Sequence, residues 1–138
     1  MSVTKGWTKV TVLAVFLTAL LLGTFMIAPA AHAKGGDATR ISLTGSAPYA
    51  NAKGTAKYKA AGGEREFQVE LENARPLAGK TLNVFVNGTR VGSMRVSALG
   101  VGRFSRNTDL GQSVPLISAG SRVQIKTTAG VIVVSGSF

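Results

Sequence analysis

Residues 53–72, KGTAKYKAAGGEREFQVELE, read as two strands joined by a tight turn. Gly62-Gly63 suits a two-residue hairpin loop, because both central positions of such a turn need positive φ. With those glycines as the loop, Ala61 faces Glu64, Lys59 faces Glu66, Tyr58 faces Phe67, Ala56 faces Val69 and Lys53 faces Glu72. Opposite charges then meet on one face and an aromatic pair on the other, each pair contributing about 0.2–1 kcal/mol. A slip of one residue loses both sets, so the register is strongly specified.

The same period of two extends along the chain. Ile41 and Leu43 alternate with Ser42 and Thr44, and Leu82, Val84 and Val86 alternate with Asn83. This is the mark of half-buried strands, and no stretch beyond residue 34 keeps a helical period. Asn87-Gly88 predicts a second hairpin, and 127–130 a third. Val91 has the opposite parity to Met94 and Val96, which predicts a β-bulge at Gly92. Pro115 argues against a central strand within 109–119. Strands near 40–45, 54–60, 65–72, 81–87, 89–97, 100–106, 122–127 and 131–138 predict an all-β domain, an antiparallel β-sandwich or small β-barrel of about eight short strands.

Residues 1–33 read as a signal-peptide helix. Lys5 and Lys9 form a positive start, 10–27 is a weakly polar to apolar run, and Ala31-His32-Ala33 supplies a small-x-small cleavage pattern. Pro29 ends the helix and leaves an extended segment for a peptidase. The apolar run is also just long enough to span a bilayer, so an uncleaved N-terminal membrane anchor is the alternative. The mature chain then starts at Lys34, with a flexible leader over 34–39 and one domain over 40–138, exported to the periplasm or the extracellular space.

Cleavage removes Trp7 and His32, the only tryptophan and the only histidine, and the chain has no cysteine. The core must hold the fold without disulfides. Histidine-based nucleophilic triads are excluded, and no serine sits in a G-x-S-x-G elbow. Glu66, Glu70 and Glu72 share a face, but Lys53, Lys57 and Lys59 are their expected partners, which would keep the carboxylates ionised and deprive a glycosidase of its acid. Asn107-Thr108-Asp109 lacks the ligand spacing of a calcium loop, and Gly100-Val101-Gly102 opens no helix. Asn87-Gly88-Thr89 matches a glycosylation sequon that its hairpin role explains. No catalytic residue, metal site or cofactor is expected.

Charge gives the strongest functional pointer. Over 34–78 seven cations face five acids, whereas over 79–138 Lys80, Arg90, Arg95, Arg103, Arg106, Arg122 and Lys126 face Asp109 alone. Arg95, Arg103, Arg106, Arg122 and Lys126 are the candidate binding residues for a polyanion such as an anionic glycan or lipid headgroups. Phe85, Phe104 and Phe138 are better explained as core or edge fillers than as a base-stacking platform, and export also argues against nucleic acid. Residues 131–134 are apolar on both faces, so the C-terminal strand over 131–138, from Val131 to the terminal Phe138, is expected either to be covered or to pair with a second copy in a homo-oligomer.

The order Leu43-Thr44-Gly45-Ser46, Phe67-x-Val69-Glu70, Val84-Phe85-Val86-Asn87-Gly88-x-x-Val91-Gly92, Gly111-Gln112-x-Val114-Pro115 and Ser135-Gly136-Ser137-Phe138 resembles small exported bacterial proteins of unassigned function. The resemblance implies an exported β-domain and carries no active residues with it. The chain is thus expected to be a non-enzymatic binding or structural module of the cell envelope, with a self-assembling surface subunit as the alternative.

Overall fold

The computed structural model describes residues 37–138; the signal-peptide reading lies outside the described residues. The described residues form eight strands: β1 (Ala38–Gly45), β2 (Lys53–Ala61), β3 (Glu64–Glu72), β4 (Thr81–Val86), β5 (Thr89–Arg95), β6 (Gly102–Asn107), β7 (Arg122–Thr127) and β8 (Ile132–Ser137). They make one antiparallel sheet in the order β5-β4-β7-β8-β1-β2-β3-β6, curled into a nearly closed barrel. A sheet curled in this way buries alternate side chains of its strands in one filled interior.

The β2–β3 hairpin has the register its sequence specifies, with Lys59 opposite Glu66, Tyr58 opposite Phe67 and Lys53 opposite Glu72. Gly62 and Gly63 take φ of 60° and 87°, the conformation the turn demands. Inward residues of every strand meet in one core, where Phe67, Val69, Leu71, Leu82, Val84, Val123, Ile125, Val133 and Val134 have no exposed surface. The segment 111–121 forms no strand, and its Val114 is buried against the core.

The structure corrects several sequence expectations. β1 begins at Ala38, so Ala38 and Thr39 belong to the sheet rather than to a leader. β5 ends at Arg95 and β6 starts at Gly102. The bulge in β5 leaves Val91, not Gly92, without a partner, since Val84 faces Gly92 and Phe85 faces Arg90. β8 is no sheet edge: it lies between β7 and β1, and a second register shift, between Ile125 and Lys126, lets Val133 and Val134 both point into the core. That shift buries Val133 and Val134, two successive apolar residues, in the same core.

The edges are β5 and β6, which meet around the barrel. No ladder joins them; Ser97 N–H donates to the Val101 carbonyl at their connecting turn, and beyond it the closure is made by side chains. Phe104 on β6 fills the seam, edge-to-face with Phe67 at 6.1 Å between centroids. A Cβ on Gly92 would lie 2.2 Å from Phe104 Cε1, so the close approach of β5 requires glycine there.

Candidate cationic surface on the barrel wall

The alternation that buries Leu82, Val84 and Val86 turns Asn83 and Phe85 outward on β4. On β5 the outward partners are Arg95 beside Thr81, Ser93 beside Asn83 and Arg90 beside Phe85. On β7 they are Lys126 beside Asn83 and Gln124 beside Phe85, with Arg122 at the strand start next to the Asn87 turn. Phe85 is therefore half-buried on the outer wall and not a core or edge filler. The Lys126 ammonium stands 4.6 Å from its ring centroid, a cation–π contact worth about 0.5–1 kcal/mol at an exposed site. Arg90 Nε donates to Asn83 Oδ1 at 3.0 Å.

Of the five cations singled out from sequence, Arg95, Arg122 and Lys126 share this wall. Arg103 and Arg106 are on β6, across the seam. Arg103 Nη1 donates to Glu70 Oε2 at 2.8 Å, the one ion pair among the described residues. Arg106 lies with its guanidinium carbon 5.3 Å from the Phe104 ring centroid, tucked into the seam rather than projecting from the wall. The structure thus brings three of the five together, ties one to an acid and stacks one on an aromatic ring.

The acids are elsewhere. Glu64, Glu66, Glu70 and Glu72 are on β3, Asp37 precedes β1, and Asp109 lies in the short 3-10 turn Thr108–Leu110 after β6. β4, β5, β6, β7 and β8 carry none. Of the expected lysine–glutamate ladder, Lys53 faces Glu72 and Lys59 faces Glu66, whereas Lys57 faces Gln68, and none of the three lysines forms an ion pair; Glu70 turns to Arg103, and Glu66 accepts from Gln68 Nε2 at 2.9 Å. Glu64 holds its proton more tightly than an ordinary glutamate because its carboxyl hydrogen-bonds that of Asp109 and feels its charge.

Among the described residues no cluster of three or more His, Cys, Asp or Glu could hold a metal ion, and no helix is long and apolar enough to cross a membrane. The residues missed from sequence are Phe85 and Arg90. The parity of β4 carried the first signal, and the bulge at Val91, which returns Arg90 to the outer wall, hid the second. No protein-family model matches the chain, and no curated protein or solved structure matches it.

Proposed function

We propose that this chain is an exported, non-enzymatic binding module of the cell envelope whose outer wall over β4, β5 and β7 holds polyanionic surfaces. One observation carries the reading: Arg90, Arg95, Arg122 and Lys126 share a wall on which no acidic residue occurs, while every glutamate lies on β3. Like charges gathered without counter-charge produce a focused positive potential, which attracts an extended anion and weakens as salt screens it over a Debye length of about 8 Å at physiological ionic strength. Spread evenly, the same charges would serve solubility alone.

The test is binding to heparin and to phosphatidylglycerol vesicles across a salt series. The combined Arg95→Ala, Arg122→Ala and Lys126→Ala variant should lose most of the binding, and Arg103→Ala much less, since Glu70 already neutralises that guanidinium. Salt-independent binding, or equal losses in the two variants, would overturn the electrostatic reading.

A further inference from the structure

The centre of the cationic wall has a chemistry that charge alone does not require. Phe85 is the only aromatic on the outward side of β4, β5 and β7, and its neighbours on the flanking strands are Arg90 and Gln124. The adjacent row is Ser93, Asn83 and Lys126, and Ser135 of β8 stands beyond Gln124. One ring is therefore bracketed by a cation on each flanking strand, with two carboxamides and two hydroxyls within the same small array.

We infer that this array recognises an acidic sugar residue of an anionic polysaccharide, an inference that rests on the polyanion reading above. The carboxamides and hydroxyls both donate and accept, which suits sugar hydroxyls, whereas a bare phosphate polymer offers only acceptors. The Lys126 ammonium, 4.6 Å from the ring centroid, would have to leave the ring for the sugar carboxylate, with Arg90 as the second partner, and the ring it uncovers is the apolar platform for the C–H face of a pyranose. A lipid bilayer is the poorer fit for this wall, because the large exposed apolar side chains among the described residues, Leu99, Leu110, Leu116 and Val131, all lie outside β4, β5 and β7. Single-stranded nucleic acid is served by successive aromatic platforms, and this wall has one.

The experiment measures the full-length chain and Phe85→Leu against polygalacturonate, inorganic polyphosphate and single-stranded DNA. Leucine keeps an apolar side chain at this half-buried position, so the variant is expected to fold. Gln124→Ala, a change on the adjacent strand, provides an independent variant should Phe85→Leu unfold. The expected result is a loss of about tenfold in affinity for polygalacturonate in either variant, equal to about 1.4 kcal/mol, with polyphosphate binding nearly unchanged. Equal losses for polygalacturonate and polyphosphate, no loss for either, or tighter wild-type binding to single-stranded DNA than to polygalacturonate would overturn the sugar inference and leave the polyanion reading standing. Absence of wild-type binding to all three polymers would remove both.

Discussion

The barrel wall has two halves built from the same alternating pattern and put to different use. On β2 and β3 the outward positions carry Lys53, Lys57 and Lys59 against Glu66, Glu70 and Glu72, so positive and negative charge are interleaved across one hairpin. On β4, β5 and β7 the outward positions carry cations, amides, hydroxyls and one aromatic, with no acid among them. Since both halves bury comparable apolar faces, the core does not require the difference. It lives in the side chains that face water, which are free to serve solubility or binding.

The two halves join at the seam between β5 and β6, so the sharpest way to break the comparison is to open that seam. Phe104→Ala removes a side chain that is 6% exposed and packs on Phe67; a loss of about 3–5 kcal/mol is expected in denaturant unfolding. A loss below about 1 kcal/mol would mean that the closure does not depend on this ring. Gly92→Val attacks the same contact from the other strand. The added Cβ must displace Phe104, and overpacking of this kind costs about 1–3 kcal/mol. Combining Gly92→Val with Phe104→Ala should cost less than the sum of the two, because the clash and the cavity offset each other.

A smaller effect sharpens the charge contrast. Glu70→Gln breaks the only ion pair among the described residues, with partners 74% and 46% exposed, so the change in stability should stay within about 1 kcal/mol. Binding is where this variant should show: Arg103 loses its counter-charge, and heparin affinity should rise. Unchanged affinity would show that a freed charge on β6, across the seam, adds nothing to the field of the cationic wall.

The smallest effect concerns Glu64 and Asp109, at the end of the glutamate-bearing hairpin. Their hydrogen-bonded carboxyls raise the Glu64 pKa above its ordinary 4.5, so the folded chain holds that proton more tightly than the unfolded chain. The resulting stabilisation is fully present below the ordinary value and is lost as pH rises through the raised folded value. Asp109→Asn should flatten this acid-side gain when unfolding is followed from neutral to mildly acid pH. An unaltered pH profile would show that the two carboxyls do not share a proton.

The β2–β3 register was legible because three signals coincide there: a Gly-Gly turn, an aromatic pair and complementary charges. Phe85 was legible in principle from the parity of Leu82, Val84 and Val86, yet an aromatic residue in a strand invites a core assignment. Arg90 was harder, because the bulge at Val91 changes the parity of β5 and no local rule states where the extra residue falls. The pairing of Arg103 with Glu70 joins strands separated by the whole β4–β5 hairpin, so nothing in the local pattern pointed to it.

By itself the sequence determined the all-β class, the number and approximate position of the strands, the hairpin turns and the concentration of cations in 79–138. These are local or compositional properties, set by side-chain period, turn chemistry and charge. The tertiary structure alone decided that β8 is interior, that β5 and β6 form the seam, and which cations stand together on one wall. Those outcomes depend on strand order, and strand order follows from how the apolar faces can be buried together in one closed core, a property of the whole chain rather than of any stretch within it.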